Sequence, residues 1–192
     1  MKESLGPKVV AMPSPVWVVA SYNADRQPDM MTVAWGGICC SAPPCVAISV
    51  QQSRLTYSNI LQQQAFTINT PSVQHIAATD YVGIVSGKNT DKFSVTGLTP
   101  VASEIVNAPY IQEFSLALEC SLIHTVDLGL HTQFIGEILD VKADAEILGQ
   151  NGISAARLVK PLISSAADRA YYACGEYLGQ TYNIGLNFLD EN

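Results

Sequence analysis

The chain has 192 residues, of which 48% are hydrophobic and only 14% are charged, and its formal net charge is −7. Nucleic-acid backbones and anionic membrane surfaces bind clustered lysines and arginines, so this acidic composition argues against both partners. High apolar content with little charge also excludes a disordered chain and predicts a single domain over residues 1–192. A surface poor in charge favours an oligomer, because large exposed apolar patches mark interfaces.

The ends and the apolar stretches of the chain predict where the protein is found. Residues 1–8 hold no apolar run ahead of a small-residue cleavage site, so no signal peptide is predicted and a cytoplasmic location is expected. The longest apolar stretches, such as residues 16–20, are far shorter than the ~20 residues of a membrane-spanning helix. Five cysteines without CxxC spacing indicate reduced, buried thiols: Cys39, Cys40, Cys45, Cys120 and Cys174.

Strand signals dominate when the chain is followed in order. Residues 15–22 are rich in β-branched and aromatic side chains, residues 23–28 are typical of a turn, and residues 30–35 return as the hairpin partner. Period-two alternation of apolar side chains supports the two longest of the later strands. The further strands are predicted at residues 45–50, 65–69, 115–126 and 132–141.

Helical signals are short and lie between the strands. Helices are predicted at residues 57–64, with Thr56 as N-cap, and at residues 73–81, with Ser72 as N-cap. A third is predicted at residues 152–158. Many strands with few helices favour a β-barrel over an alternating βαβ sheet.

Several motifs that identify large enzyme classes are absent from the sequence. It contains no GxGxxG, GxxxxGK[ST], HExxH or GxSxG pattern, and its three histidines are scattered. These absences argue against a Rossmann dehydrogenase, a P-loop kinase and a protease, and no metal site is predicted.

Polar side chains gather after the strand at residues 45–50. Ser49 ends that strand, and Arg54 and Thr56 follow at the start of a predicted helix. An arginine, hydroxyl groups and helix N-terminal N–H groups can converge on one anion. Lys88 and Lys92 add two cations nearby in an otherwise acidic chain. The pattern predicts an anion site, with Arg54 as an ordinary surface charge as the alternative.

Segments along most of the chain resemble, in order and with matching spacing, the flavin reductase-like family of FMN-binding split barrels. The resemblance extends over about residues 12–185 and is closest to the flavoredoxin branch. The matching segments are residues 18–23 (VVASYN), 31–37 (MTVAWGG), 44–50 (PCVAISV), 54–56, 66–69 (FTIN), 86–93 (SGKNTDKF), 97–99 (GLT) and 129–137 (GLHTQFIGE).

The resemblance implies a mainly β protein, a six-stranded split β-barrel of Greek-key type with short peripheral helices. It also implies a homodimer with FMN held near the interface. The positions that match the family's contacts to the flavin ring and ribityl chain are Met31, Thr32, Val33, Ala34, Ser49, Val50 and Gln51. Those that match its contacts around the phosphate are Arg54, Thr56, Ser86, Gly87 and Lys92.

Three aromatic positions complete the implied site. Trp35 and Phe93 are candidates to cover a face of the flavin ring, with packing in the core as the alternative. His131 matches a histidine beside the open face of the ring, where the nicotinamide of NADH or NADPH would stack.

The sequence departs from the family pattern at three places. Arg26 follows Asp25 where the family's first hairpin carries Asp-Gly, and a turn that needs positive φ would strain an arginine. Asp29 stands where asparagine is common, and Leu130 replaces an aspartate often found before His131. We expect these changes to affect nicotinamide use more than FMN binding.

Three functions follow from the resemblance. The first is an NAD(P)H:flavin oxidoreductase that passes electrons from a reduced donor through bound FMN to an acceptor. The second is a flavoredoxin-like electron carrier reduced by a protein donor, and a third is a flavin-binding barrel of the pyridoxamine-phosphate-oxidase type. Hydride chemistry belongs to the flavin, which explains why no acid–base pair stands out in the sequence.

Overall fold

The computed structural model describes residues 1–150, 152–153 and 156–188, and it shows a mainly β fold with few short helices. The strands in the described residues are β1 Ser14–Pro15, β2 Trp17–Tyr22, β3 Pro28–Val33, β4 Gly36–Ser41, β5 Pro44–Gln51, β6 Ala65–Asn69, β7 Pro100–Ala102, β8 Pro109–Ile111, β9 Leu116–Asp127, β10 His131–Ala143, β11 Leu148–Gly149, β12 Gly152–Ile153, β13 Leu162–Ser165 and β14 Ala170–Ala173.

Helices in the described residues connect or flank these strands. The α-helices are α1 Leu55–Gln63, α2 Ile76–Ile84, α3 Lys92–Thr96 and α4 Ala156–Val159, and 3₁₀ turns cover Val73–His75, Ala145–Ile147 and Leu186–Phe188. Across this part of the chain, no helix has both the length and the apolar character needed to cross a bilayer.

A seven-stranded antiparallel sheet in the order β3-β2-β6-β9-β10-β5-β4 forms the body of the molecule. Its edge strands β3 and β4 are joined by only Ala34 and Trp35, a link that spans at most about 11 Å. The sheet must therefore curl until its edges approach each other, and the Ser49 N–H donates to the Trp35 carbonyl at 2.9 Å beside this link. The count of six strands is not confirmed, because residues 36–41 form a strand of their own.

Two apolar clusters pack against opposite faces of this sheet. Val19, Ile48 and Phe66 lie in the cluster enclosed by the curled sheet. Val18 and Met30 belong to a second cluster that also receives residues from α2 and α3. Strand β2 is therefore buried on both faces, which explains its continuous apolar run in place of the alternation of a half-exposed strand.

Most of the predicted elements are confirmed, but one predicted cap is misplaced and the other makes no side-chain cap hydrogen bond. Arg54, not Thr56, is the N-cap residue of α1, and it makes no side-chain cap hydrogen bond. Ser72 is the N-cap residue of the 3₁₀ turn Val73–His75, as predicted, but its side chain makes no cap hydrogen bond, and its Oγ lies 3.1 Å from His75 Nδ1. The third predicted helix is confirmed only at α4, because Gly152–Ile153 is extended and residues 151 and 154–155 lie outside the described residues.

The β2–β3 hairpin shows how the chain accommodates Arg26 in place of glycine. Arg26 adopts the left-handed conformation with φ of 59°. Its Nη1 donates to Asn107 Oδ1 at 2.9 Å, and its guanidinium lies 5.2 Å from the centre of the Tyr22 ring. These contacts offset the conformational cost of positive φ, which is about 1 kcal/mol for a residue with a side chain.

Candidate functional site

A cavity of about 350 Å³ opens where the ends of β3 and β5, the first residue of β10 and the start of α1 come together. Of its ten lining residues, nine are residues predicted from the sequence, and only Gly83 is not. They are Met31, Thr32, Val33, Ala34, Trp35, Ser49, Gln51, Arg54, Gly83 and His131.

Strand register explains this convergence. Strand β10 pairs with β5 so that His131 lies opposite Gln51 and Gln133 lies opposite Ser49. Alternate side chains of a strand point to opposite faces, so Ser49 and Gln51 share the cavity face while Val50 is buried in the core. The prediction for Val50 therefore describes its strand position, whereas its side chain packs away from the cavity.

Arg54 supplies the cationic group of the cavity. Its Nε donates to Met31 Sδ at 2.9 Å, and its Nη2 donates to the Gly83 carbonyl oxygen. These two contacts orient the guanidinium from one strand and one helix, at the position where α1 begins. The first N–H groups of α1 lack intrahelical partners, so cation and helix end together favour an anion.

Lys92, Asp29 and Thr56 form a buried polar cluster that does not line this cavity. Lys92 is 3% exposed, and its Nζ donates to the carbonyl oxygens of Met30 at 2.6 Å and Val82 at 3.2 Å. The same Nζ lies 3.5 Å from Asp29 Oδ1, and Thr56 Oγ1 donates to Asp29 Oδ2 at 3.1 Å. Asp29 thus contacts both Lys92 and Thr56, the two side chains of this cluster that were predicted from the sequence to contact a phosphate.

The electrostatics of the cluster follow from its burial. Burial lowers the pKa of the Lys92 ammonium, the Asp29 carboxylate opposes this shift, and the Arg54 guanidinium adds to it. Two cations therefore act on one buried region that contains a single carboxylate. An added anion would relieve the repulsion between Arg54 and Lys92.

A second cavity of about 610 Å³ reaches this cluster at Asp29. Asp29, Gly87, Lys88 and Phe93 are among the residues that line it. A Cβ on Gly87 would lie 2.1 Å from Asp29 Oδ1, so this close approach requires glycine. Ser86 lies at the start of the same loop, where its Oγ accepts from the Lys88 N–H at 3.3 Å.

The aromatic candidates fall into two environments. The rings of Trp35 and His131 lie 4.9 Å apart at a tilt of 38°, and Trp35 is 43% exposed at the rim of the first cavity. Phe93 is instead buried in the apolar cluster shared by β2, β3 and α3, which is the alternative that the sequence left open.

Two residues of the site were missed as contacts in the sequence. Gly83 lines the cavity and accepts from Arg54, but nothing in the sequence indicates how α2 is oriented over β3. Asp29 was noted only as a departure from a pattern. A better signal was available, because it is the one charged residue in the otherwise uncharged strand Pro28–Val33.

Comparison with known proteins identifies the family. The model of the flavin reductase like domain matches residues 9–165. The flavoredoxin of Desulfovibrio vulgaris (Miyazaki F) is 46% identical, with a TM-score of 0.92 over 96% of this chain and 100% of that chain.

Two curated relatives match over shorter segments. A protein of Archaeoglobus fulgidus is 32% identical over 116 residues, which is 60% of this chain and 66% of the relative. The high molecular weight rubredoxin of Moorella thermoacetica is 36% identical over 102 residues, 52% of this chain and 43% of the relative. Each match thus covers less than two thirds of this chain and less than two thirds of the relative. With most of its length matched by the family model and its fold shared with a flavoredoxin, the chain belongs to the flavin reductase-like domain family.

Proposed function

We propose that the protein is an FMN-dependent oxidoreductase that passes electrons from a reduced donor through FMN held in the first cavity to an acceptor. The observation that carries this proposal is the convergence of Arg54, the backbone of residues 31–34 and the Trp35–His131 pair on one cavity. When bound, FMN supplies the one- and two-electron chemistry that the side chains themselves lack.

The donor set of the cavity fits this cofactor. A phosphate monoester carries about −1.5 to −2 charges at neutral pH, and burying it requires cations or hydrogen-bond donors. Arg54 and the first turn of α1 offer both at one end of the cavity. Lys92 does not line the cavity, but it adds positive charge from the buried cluster that it forms with Asp29 and Thr56. Thr56 lies two residues after Arg54, and Ser86 and Gly87 belong to the loop whose Lys88 Nζ donates to the Ser53 carbonyl oxygen at 3.1 Å, so we expect all three to shape the phosphate pocket.

The opposite end of the cavity suits a planar ring. The residues of β3 present backbone along one side, and polar groups beside a ring that gains electrons stabilise the added charge. Ser49 and Gln51 offer a hydroxyl and an amide to the polyol chain, while Trp35 covers the rim. His131, whose ring lies 4.9 Å from that of Trp35, would orient a nicotinamide from NADH or NADPH against the ring.

An electron carrier reduced by a protein donor is the second candidate. Leu130, directly before His131, is 72% exposed, so an apolar side chain projects beside the cavity mouth. Such a side chain suits docking of another protein better than docking of a charged dinucleotide. The relationship to a high molecular weight rubredoxin favours a rubredoxin as that donor.

A homodimer in the cytoplasm is part of the same proposal. The C-terminal segment carries several apolar side chains in open solvent, and Tyr182 is 99% exposed. Exposure on this scale favours cover by a second subunit. The exposed residues of this segment are Tyr177, Leu178, Tyr182, Ile184, Leu186 and Phe188.

Anaerobic mixing of the FMN-loaded protein with NADH or NADPH separates the two candidates. Rapid bleaching of the flavin absorbance supports the oxidoreductase, whereas slow bleaching together with fast reduction by reduced rubredoxin supports the carrier. Protein that remains monomeric and takes up no FMN would refute both.

A further inference from the structure

The β4–β5 hairpin gathers three thiols away from the flavin cavity. Cys40 lies directly opposite Cys45 in the antiparallel ladder. The ladder shifts its register between Ile38 and Cys40, which leaves Cys39 as the extra residue of a bulge beside this pair. Cys45 is 3% exposed, whereas Cys39 and Cys40 are exposed.

The positions of Cys40 and Cys45 meet the requirements of a disulfide. Residues directly opposite in an antiparallel pair have Cα atoms about 4.5–5.5 Å apart and side chains on the same face. Disulfides need Cα separations of about 4.4–6.8 Å, so this register brings the two Cα atoms into the range that a disulfide spans. The closeness of the three thiols also affects the ionisation of Cys45. Burial raises the pKa of this thiol, and the neighbouring Cys40 and Cys39 raise it further.

We propose that Cys40 and Cys45 form an oxidisable dithiol that is converted to a cross-strand disulfide by a low-molecular-weight disulfide. The Cys40 thiolate attacks one sulfur of the small disulfide, whose S–S bond breaks and releases one thiolate. The Cys45 thiol then gives up its proton as its sulfur attacks the Cys40 sulfur of the mixed disulfide, and the second small thiolate leaves and takes up a proton. Two protein thiols lose two electrons and two protons in total, and the small disulfide becomes two thiols.

Exposure sets the order of these two steps. Cys40 is open to a reagent from solvent, while Cys45 is covered and reaches only its neighbours, including the Pro43 carbonyl oxygen at 3.4 Å from its Sγ. The exposed thiol therefore reacts first and the buried thiol resolves the adduct.

The dithiol is separate from the proposed flavin site but mechanically connected to it. Cys45 lies four residues before Ser49 on β5, about 13 Å along the strand. A disulfide would tie the edge strand β4, which directly follows Trp35, to the strand that carries Ser49 and Gln51. Oxidation would thus fix one wall of the cavity without direct contact between sulfur and flavin.

The test is oxidation of the full-length protein with oxidised glutathione, acid quenching, denaturation and alkylation, followed by mass spectrometry. We expect two of the five thiols to escape alkylation, the protein mass to fall by two hydrogens, and dithiothreitol to restore both thiols. Cys40→Ser and Cys45→Ala should abolish the internal bond and leave a glutathione adduct on Cys40 of the second variant. Cys39→Ser and Cys174→Ser should retain it.

Three results would overturn the proposal. Loss of two thiols in Cys45→Ala would assign the bond to the adjacent Cys39 and Cys40, and loss of two thiols in Cys40→Ser would assign it to Cys39 and Cys45. Glutathione adducts alone on the wild type would show that no internal disulfide forms. The alanine suits the buried position of Cys45, and Cys40→Ser provides the same test at an exposed position.

Discussion

At the scale of single residues, Asp29 determines how much positive charge is available to a bound anion. Its carboxylate lies 3.5 Å from Lys92 Nζ and accepts from Thr56, so it competes for the groups that a phosphate would use. Arg54 has no acidic partner among the described residues and offers its full charge to the cavity. Arg54 and Lys92, the two cations predicted from the sequence, thus differ in how much of their charge a bound anion can use. Replacing each should therefore change different properties of the protein.

Replacing Arg54 with alanine should weaken FMN binding by roughly ten- to a hundredfold. Charge-assisted hydrogen bonds contribute about 1.5–3 kcal/mol, and 1.4 kcal/mol is about tenfold in affinity. Riboflavin has no phosphate, so its weaker binding should change little. Titration of both flavins into both proteins checks this, and equal weakening of the two would show that Arg54 acts through the ring or the fold.

Replacing Lys92 with alanine should instead lower the free energy of unfolding as well as FMN affinity. The substitution leaves the buried Asp29 carboxylate without its cation, which costs about 3–5 kcal/mol for a buried pair. Urea unfolding of the flavin-free protein measures this loss. Unchanged stability would contradict the ion pair seen between the two side chains.

Replacing Asp29 with asparagine should tighten FMN binding by about tenfold, because Lys92 would then act on the phosphate without a competing carboxylate. The amide can still accept from Thr56, so the cluster should persist. Riboflavin binding serves as the control and should stay the same. Weaker FMN binding in this variant would mean that Asp29 orients Lys92 and does not compete for it.

Replacing His131 with alanine should slow reduction by NADH or NADPH and leave FMN affinity nearly unchanged. His131 contacts Trp35 at the cavity rim, where a nicotinamide would approach. Stopped-flow reduction and flavin titration separate these roles. A matched loss of FMN binding would make His131 a flavin contact, and unchanged reduction would remove it from the site.

At the scale of elements, close packing between strands decides where side chains are tolerated. Strands β9, β10 and β6 meet at Gly136, where an added Cβ would lie 2.6 Å from Phe66 Cζ. Phe66 is fully buried and cannot turn away. Gly37 on the edge strand β4 has open space at the same position, since a Cβ there meets nothing within 4 Å.

Gly136→Ala should therefore destabilise the protein by about 1–3 kcal/mol, the usual cost of overpacking a core. Gly37→Ala is the matched control, and its effect should stay within about 0.5 kcal/mol. Urea unfolding of both variants gives the comparison. Similar stabilities for the two would mean that the sheet relaxes around Gly136.

At the scale of the whole molecule, a tyrosine hydrogen bond links the small sheet β1-β13-β14 to helix α2. The Tyr171 hydroxyl donates to Asp80 Oδ1 at 2.9 Å, linking β14 to α2. Burial and this carboxylate raise the pKa of Tyr171 from 10.0 to about 12. The folded state therefore holds the phenolic proton more tightly than the unfolded state.

The contribution of Tyr171 to stability should be full below pH 10.0 and fall as pH rises from there towards about 12. Tyr171→Phe removes the hydroxyl and should cost about 1 kcal/mol at neutral pH. The difference between wild type and variant should shrink above pH 10.0, as measured by unfolding at several pH values. A difference independent of pH would show that folding does not raise the pKa of Tyr171, and no difference at any pH would show that the Asp80 contact contributes nothing.

The sequence by itself determined the strand pattern, the family and most of the residues around the cavity. Alternation in β9 and β10 and the ordered segments at residues 31–37 and 129–137 are local patterns, and local patterns remain visible without a fold. The strand Gly36–Ser41 was missed because its two glycines and adjacent cysteines carry no alternation.

Only the tertiary structure decided which predicted residues face the cavity and which lie behind it. Thr56 and Lys92 contact Asp29 in a buried cluster, and the Gly83 carbonyl oxygen accepts from Arg54. Each of these contacts joins residues of different elements. Such contacts depend on the curl of the sheet and the placement of α2 over β3. Both arise from packing between residues far apart in the chain, which leaves no repeat or spacing in the sequence.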